Sequence, residues 1–436
     1  MSRYKSYPAY RETGLQWLEQ IPSHWQIVQS RRLFSQRKDK ATDNDQQLTA
    51  SQKHGVLYQA DFMALEGSRV VQVIKGADIL KHVEPNDFVI SMRSFQGGIE
   101  WSGLRGSISS AYVMLIPSSG VYAQYFRYLL KCDSYIQALQ STSDLIRDGQ
   151  ALRFDNFSQI DLPVVPYDEQ QAIATHIERE TIRIDGLVSR KTRFIELLRE
   201  KRQALITHAV TKGLDPNVKM KDSGVEWLGD VPVHWNVKRL RYAASLNPAI
   251  KAGVMPDAEV SFLPMEAIGT DGSINLEKTR VVAEVRNGYS YFEDGDVTFA
   301  KVTPCFENGK GAVMRNLVGG IGFGTTELTV IRPNLDACVG FVNYLLQSDR
   351  FRLLGEGAMT GAGGLKRVPD EFTRNFESSW PALDEQQAIT AYLDRKTTRI
   401  DTLISKTECS IELLKERRSA LITAAVTGQI DLREAA

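Results

Sequence analysis

The chain contains the same pattern twice, and this internal repeat restricts the possible folds more than any other feature of its 436 residues. The segment TGLQWLEQIPSHW at 13–25 returns as SGVEWLGDVPVHW at 223–235. Pairing 168–210 with 384–426, which both open with DEQQAI, gives 25 identities in 43 positions. The offset of about 213 residues is too long for a solenoid, whose repeats span about 20–50 residues. We therefore predict two tandem copies of one domain plan.

Each copy begins with a block that differs from its counterpart, between 35 and 160 and between 245 and 380. Both blocks contain short runs of Val, Ile, Phe and Tyr separated by Gly, Asn and Asp, a pattern typical of strands and turns. The segments 122–140 and 338–354 are predicted to be helical, because Tyr, Phe and Leu recur on one face. The predicted strands are Val70–Ile74, Phe88–Ser91, Val281–Val285 and Asp296–Ala300. Each block is thus expected to be α+β.

The two similar tails are predicted to be long helices. No proline occurs between Pro166 and Pro216, and none follows Pro381. Asp168 and Asp384 are each followed by a glutamine three residues later, which predicts a capping box at the start of each helix. Each helix would have about 42 residues and a length of about 63 Å.

Apolar residues recur every seven positions in both tails, as in a coiled coil. A polar residue, Lys191 or Thr407, interrupts the repeat at the same point of each copy. We expect the tails to pair as an antiparallel coiled coil, with the blocks at opposite ends and a pseudo-two-fold relation between the copies. The alternative is that each helix packs on its own block. The seam residues are Ile177, Ile184, Leu198 and Leu205 in the first tail and Leu393, Ile400, Leu414 and Leu421 in the second, with Ile173, Leu187 and Phe194 on the neighbouring seam.

The composition excludes several classes of protein and leaves others open. Lys plus Arg and Asp plus Glu both number 53, so net charge neither indicates nor excludes a nucleic-acid partner, because a basic face can exist in a neutral chain. The four cysteines include no CxxC pair, which argues against a disulfide scaffold or a cysteine-type zinc site and indicates a reducing cytoplasm. No apolar run of about 18 residues predicts a membrane span, and the polar first residues are unlike a signal peptide.

Motifs for catalysis, metal binding or ATP binding are not found in the sequence. There is no GxxxxGK[ST] loop and no HExxH pair. Gly319–Gly324 lacks the strand–helix context and the spacing of a dinucleotide loop. His24 and His234 occupy equivalent positions beside tryptophans, and a structural role is favoured over catalysis for both. We therefore predict no catalytic residues and no metal site.

Two kinds of polar loop are candidates for binding DNA. The segments 92–98 and 301–310 follow the predicted strands and combine a cation, hydroxyl or amide groups, an aromatic residue and glycine. Each block then ends with a Gly-rich basic stretch, 148–153 or 361–367, although a turn or lid has the same composition. The candidate contacts are Arg93, Ser94, Gln96 and Arg153 in the first block and Lys301, Thr303, Asn308, Lys310, Lys366 and Arg367 in the second.

The order of these motifs resembles the specificity subunit of type I restriction-modification systems. Each copy has a Gly-x-x-Trp-Leu…Pro-x-His-Trp opening, a variable block, a Glu-Gln-Gln-Ala-Ile turn and an Ile-Asp-x-Leu…Leu-Leu-x-Glu-x-Arg helix. The resemblance covers nearly the whole chain, and it is the duplication in this order that makes it specific.

The resemblance implies two target recognition domains, 1–165 and 216–381, each reading half of a split, asymmetric DNA site. It implies two spacer helices, 166–215 and 382–436, that hold these domains apart and dock two modification subunits. It also implies that this chain is not itself an enzyme and binds no cofactor, because the modification subunits carry S-adenosylmethionine and methylate adenine at N6. Restriction subunits in the full complex would supply chemistry that uses ATP and Mg²⁺. The alternative function is a coiled-coil scaffold with two protein-binding heads.

Overall fold

The computed structural model describes residues 4–67, 79–92, 94–142, 152–362 and 364–434. The chain divides into two compact units, which are described separately. Unit 1 comprises Met1–Lys191 and Cys409–Ala436, and unit 2 comprises Thr192–Glu408. Each unit therefore combines one variable block with segments of both predicted long helices.

Unit 1 contains twelve strands among its described residues. They are β1 Tyr10–Leu15, β2 Leu18–Pro22, β3 Gln26–Gln29, β4 Phe34–Arg37, β5 Leu48–Ser51, β6 Gly55–Tyr58, β7 Lys81–Val83, β8 Phe88–Ile90, β9 Glu100–Trp101, β10 Gly106–Ile108, β11 Val113–Pro117 and β12 Asp161–Val164. The helices are α1 Ser30–Leu33, α2 Gln59–Glu66, α3 Ser94–Gly97, α4 Ala123–Leu129, α5 Asp133–Ser141, α6 Phe154–Ser158 and the long α7 Tyr167–Lys212, which continues into unit 2.

The main sheet of unit 1 is antiparallel, with strand order β4-β11-β8-β9. Phe34 lies at the centre of the core beneath it. Its ring makes edge-on contacts with Phe88, Phe126 and Phe157, at centroid distances of 5.4, 5.3 and 5.6 Å. These aromatic residues come from β4, β8, α4 and α6, so one cluster joins the sheet to the helices.

Unit 2 repeats this plan and adds a second large sheet. Its strands are β13 Met220–Asp222, β14 Asp230–Pro232, β15 Asn236–Arg239, β16 Ala244–Leu246, β17 Glu259–Leu263, β18 Thr279–Val281, β19 Ser290–Glu293, β20 Val297–Ala300, β21 Gly311–Val313, β22 Ile321–Gly324, β23 Leu328–Pro333, β24 Thr360–Ala362, β25 Leu365–Arg367 and β26 Glu377–Trp380. Its helices are α8 Val282–Val285, α9 Val339–Gln347, α10 Asp349–Ala358, α11 Asp370–Asn375 and the long α12 Leu383–Val426, which continues into unit 1.

The antiparallel sheet β16-β23-β20-β21 of unit 2 has the same order as the main sheet of unit 1. The second sheet, β18-β17-β22-β19, is mixed, because β17 and β22 run parallel. Phe351 of α10 is the centre of the main core and packs against Phe299, Phe306 and Phe376 at centroid distances of 5.3, 6.0 and 5.0 Å. The two units thus share one framework and differ in what is attached to it.

The two long helices pack against each other within both units, and their direction is antiparallel. In unit 2, Arg199 pairs with Glu408 at 3.1 Å and Arg202 with Asp401 at 2.9 Å, so one residue number rises as the other falls. In unit 1, the start of α7 shares a buried cluster with the end of α12. The predicted antiparallel coiled coil is confirmed. The helices also pack on the blocks, since the same clusters contain both block and helix residues.

Most predicted seam residues are buried, including Ile177, Ile184, Leu393 and Ile400. The prediction that Phe194 lies on a seam was wrong. Phe194 is 46% exposed, and the buried position belongs to Ile195. The polar interruption in the second helix is satisfied locally, since the buried Thr407 hydroxyl donates a hydrogen bond to the Leu403 carbonyl at 2.7 Å. From Gln386 to Ile400, the buried positions of α12 recur every three or four residues, as in a heptad repeat.

The strands and helices predicted for the two blocks are confirmed in part. The strands at Phe88–Ser91 and Asp296–Ala300 are confirmed as β8 and β20, and both predicted helical segments are helical. The strand at Val281–Val285 was wrong, because Val282–Val285 forms α8. The strand at Val70–Ile74 lies outside the described residues.

The capping boxes were also wrong. The helices begin at Tyr167 and Leu383, so that Asp168 and Asp384 lie inside the first turn. The Pro166 carbonyl already accepts a hydrogen bond from the Gln170 amide.

The described parts of the chain contain neither a candidate membrane-spanning helix nor a candidate metal-binding cluster. None of the helices there combines the length and the hydropathy that crossing a membrane requires. Nor do three or more His, Cys, Asp or Glu side chains group there in a way that could hold a metal ion.

Candidate nucleic-acid interface

In unit 2, the structure brings the two predicted polar segments together into one surface. The loop 301–310 follows β20, and the described residues of 361–367 contribute to both β24 and β25, which pair as a hairpin. The Thr303 hydroxyl joins them, because it donates to the Gly364 carbonyl at 2.9 Å and accepts from the Lys366 amide at 3.0 Å. We call this combined surface, 301–310 with 360–362 and 364–367, the hairpin surface.

The hairpin is exposed along both strands, but its base is fixed. Every described residue of β24 and β25 is exposed, including the apolar Leu365 at 48%. Arg367 makes a bidentate pair with Glu327, with N···O distances of 2.9 and 2.7 Å. This bond holds the pKa of Glu327 below and that of Arg367 above their ordinary values. A two-stranded ribbon of this kind fits the major groove of B-DNA.

The loop 301–310 is anchored by its aromatic residue. Phe306 is buried and packs on Phe299 and Phe351, so it belongs to the core and does not face solvent. The Lys310 ammonium donates to the Met265 carbonyl at 3.0 Å, which ties the end of the loop to the turn that follows β17 of the second sheet. Asn308, between these anchors, is exposed. The anchored loop therefore presents a side chain whose amide can both donate and accept hydrogen bonds.

In unit 1, the C-terminal end of α5 holds the loop at Phe95 and the helix α6. The Gln140 side chain donates to the Phe95 carbonyl at 2.7 Å, and the Asn156 side chain donates to the Thr142 carbonyl at 2.9 Å. The loop that contains Gln96 and the helix that follows Arg153 therefore both meet the C-terminal end of α5. Gln96 and Arg153 are exposed there.

Two of the predicted DNA contacts in unit 1, Ser94 and Arg93, are not found on an exposed, described surface. Ser94 is 1% exposed, and its hydroxyl accepts a hydrogen bond from the Ser91 amide at 2.9 Å, so the structure gives it a role inside the turn. Arg93 lies outside the described residues.

The sequence reasoning missed the ribbon itself and its ion pair. A Gly-Gly dipeptide at 363–364, between short segments, is a two-residue hairpin signal that could have been used. Glu327, by contrast, lies 40 residues from Arg367 in sequence, and no local pattern marks it as a partner.

Comparison with known proteins gives relatives of one kind, although no family model matches the chain. The type I restriction enzyme EcoEI specificity subunit of Escherichia coli is 34% identical over 203 residues, which are 46% of this chain and 34% of that protein. The EcoAI specificity subunit of Escherichia coli is 38% identical over 190 residues, which are 42% of this chain and 31% of that protein. The match thus spans about a third of each relative's length.

Solved structures share the fold over almost the whole chain. A chain from a study of complex assembly and conformational transition of a type I restriction-modification system superposes with a TM-score of 0.69, covering 93% of this chain and 98% of that one at 13% identity. The HsdS subunit of Thermoanaerobacter tengcongensis gives 0.55, with 94% and 98% covered at 14% identity. The resemblance to specificity subunits predicted from the sequence is confirmed, and so is the fold class, two α+β blocks with a long helix pair.

Proposed function

We propose that this chain is the non-catalytic DNA sequence-specificity subunit of a type I restriction-modification complex. The observation that carries the proposal is that two units built on one framework expose unlike surfaces. The framework that both units share suits a partner that is present in two copies. The surfaces that differ between the units suit two different DNA half-sites. Relatives that are named specificity subunits support the same function.

We assign residues 1–165 and 216–381 to the two target recognition domains, with 166–215 and 382–436 as spacer helices. In the second domain, the exposed Asn308 and Lys366 are the proposed base and phosphate contacts, together with the half-buried Lys301 at the start of the loop. Thr303, Lys310 and Arg367 would act through the shape of the hairpin surface, because their polar groups are already bonded to protein. In the first domain, Gln96, Arg153 and Arg93 are the proposed contacts.

The proposed partners are double-stranded DNA, two modification subunits on the spacer helices and, in the full complex, restriction subunits. S-adenosylmethionine, ATP and Mg²⁺ are assigned to those subunits. We place the complex in the cytoplasm, a location that agrees with four free cysteines in the described residues.

The test is enrichment of DNA by the purified chain bound to its modification subunits. A duplex pool with randomised sequence should yield one split site with two unlike halves, and methylated adenines in cells carrying the gene should lie in that site. A scaffold with protein-binding heads would enrich no sequence. The chain alone, supplied with S-adenosylmethionine and Mg²⁺, should neither methylate nor cut DNA, and activity without partners would overturn the assignment.

A further inference from the structure

The DEQQAI motif that opens both long helices forms a junction with the histidine and tryptophan of the opening segment. In unit 1, Glu169 lies in the first turn of α7 and is buried. Its carboxylate accepts a hydrogen bond from the Trp25 indole at 3.0 Å and lies 2.8 Å from Nε2 of His24. The Tyr7 hydroxyl also donates to it at 2.7 Å, and burial together with this bond raises the pKa of Tyr7.

Unit 2 repeats the arrangement. Glu385 in the first turn of α12 accepts a hydrogen bond from the Trp235 indole at 3.1 Å and lies 2.9 Å from Nε2 of His234. The carboxylate therefore fixes the opening segment of each block to the start of the helix that follows the block.

The glutamine that follows each glutamate fixes a second part of the block. Gln170 donates to the carbonyls of Gly120 and Val165 at 2.9 and 2.8 Å and accepts from the Tyr122 amide at 2.8 Å. Gln386 makes the same three bonds 216 residues later, with the carbonyls of Asp336 and Pro381 and the amide of Cys338, at 3.2, 3.0 and 2.8 Å. The bonds to 120 and 122, and those to 336 and 338, tie the helix to the residues just before α4 or α9, and the third bond of each glutamine reaches the residue two positions before the helix itself.

The end of the other long helix contacts the same tryptophan. Gly428 follows α12 with φ +75, and a Cβ there would lie 3.0 Å from the Trp25 ring and 2.4 Å from Pro22. Gly213 follows α7 with φ +78, and a Cβ there would lie 3.3 Å from the Trp235 ring. Glycine permits both the left-handed backbone and the close approach. Each block is therefore joined at one point to the start of one long helix and the end of the other.

These contacts prevent the block from rotating on the long helix as it would about a flexible hinge. The glutamate and glutamine are adjacent, yet they hold parts of the block about 100 residues apart in sequence, such as Trp25 and Tyr122. Two separate attachments to one helical turn fix both the direction and the rotation of the block on that helix. A connection through the backbone alone would fix neither.

We propose that Glu169 and Glu385 are positioning residues that set the separation at which the two half-sites are read. The inference rests on the proposed function, since it assumes that each block reads DNA. A block held rigidly on the helices accepts its half-site at one distance and one helical phase from the other half-site. A block that can rotate on the helices accepts its half-site at several distances and helical phases.

The experiment uses the chain bound to its modification subunits and duplexes that carry both enriched half-sites with gaps of varied length. The wild-type complex should select one gap. Glu385→Ala should keep the sequence preference of both half-sites but lose about tenfold in selectivity for the native gap over its neighbours, the effect of losing one hydrogen bond to a charged group. Glu385→Gln keeps an acceptor for the Trp235 indole and should restore part of the selectivity.

A matched control separates positioning from stability. Val330→Ala removes buried side-chain volume from the core of the same unit, away from the junction, and should lower the melting temperature without broadening the gap preference. If Glu385→Ala does not fold, Trp235→Phe replaces the indole by a smaller aromatic ring that has no N–H to donate to Glu385, and it should broaden the gap preference as well. An unchanged gap preference, or equal broadening in Val330→Ala, would overturn the inference. A wild-type complex that enriches no split site would instead overturn the proposed function.

Discussion

Polar side chains on the proposed reading surfaces are of two kinds. Some bond to the protein and give a loop its shape, as the Ser94 hydroxyl and the Arg367 guanidinium do. Others, such as Asn308, Gln96 and Lys366, are exposed on segments held in this way. Mutations of the two kinds should therefore differ in what they change.

Lys366→Ala should weaken binding to all DNA sequences alike, because an ammonium group contacts phosphate without reading bases. The slope of log K against log salt should fall by about 1. Titrations at several salt concentrations measure this. Lys221→Ala, which changes an exposed lysine on the β13–β14 hairpin, is the matched control and should leave the slope unchanged. Loss of preference at a single base pair would show that Lys366 reads a base instead.

Ser94→Ala should destabilise the first block by about 1 kcal/mol, because the buried Ser91 amide loses its acceptor. Chemical denaturation of the full chain measures the change. Stability equal to wild type combined with lost preference at one base pair would contradict the structural role.

At the scale of elements, the repeated Ile-Asp and Leu-Leu-x-Glu-x-Arg motifs form ion pairs between the two long helices. Asp185 pairs with Arg418 at 3.2 Å in unit 1, and Asp401 pairs with Arg202 at 2.9 Å in unit 2. Each motif therefore supplies one partner of an ion pair between antiparallel helices, and the same pair forms twice. Such exposed pairs add little stability, so their main effect is on register.

The apolar seam should carry most of the stability of the helix pair. Leu198 is 8% exposed and its neighbour Leu197 is 46% exposed. Leu198→Asp should cost at least about 3 kcal/mol, because it removes buried apolar volume and buries a charge. Leu197→Asp should change stability by no more than about 0.5 kcal/mol. Denaturation of the two variants measures the difference, and similar losses would mean that the seam is not the source of stability.

The strand β7 carries a pH-dependent contact. Nδ1 of His82 lies 2.7 Å from Asp45 and Nε2 lies 2.8 Å from Glu84. Burial lowers the pKa of His82, but the bonds to Glu84 and Asp45 outweigh it and raise the pKa overall. The raised pKa means that this stabilisation is complete below the ordinary histidine value and is lost as pH rises through the folded-state pKa.

Melting temperatures of the full chain between about pH 5.5 and 8.5 test this contact. The advantage of wild type over His82→Gln should be largest at the acidic end and should shrink as pH increases. A difference that is constant or grows with pH would contradict the assignment.

At the scale of the whole molecule, one framework carries two blocks through equivalent junctions. The segments 35–160 and 245–376 begin within the equivalent strands β4 and β16 and end just before the equivalent strands β12 and β26. A chain with 35–160 in both places should therefore enrich a split site whose halves carry the same sequence. Enrichment from a random pool, with modification subunits present, measures this. Retention of the original asymmetric site would show that the blocks do not carry the specificity.

The sequence by itself determined the duplication, the α+β blocks, the two long helices and most of the buried seam. Each of these depends on local composition or on periodicity within one segment, which short-range backbone and side-chain preferences control. Local reasoning failed at α8, where Val282 and Val285 are both buried and a three-residue spacing suits a helical turn better than a strand.

Only the tertiary structure decided which side chains meet. The partner of Glu169 lies 144 residues away at Trp25, and the partner of Arg367 lies 40 residues away at Glu327. The burial of Ser94 and Phe306 likewise depends on elements that pack over them. Contacts of this kind are set by the path of the chain through the fold, because a residue's own neighbours in sequence do not specify what approaches it in space.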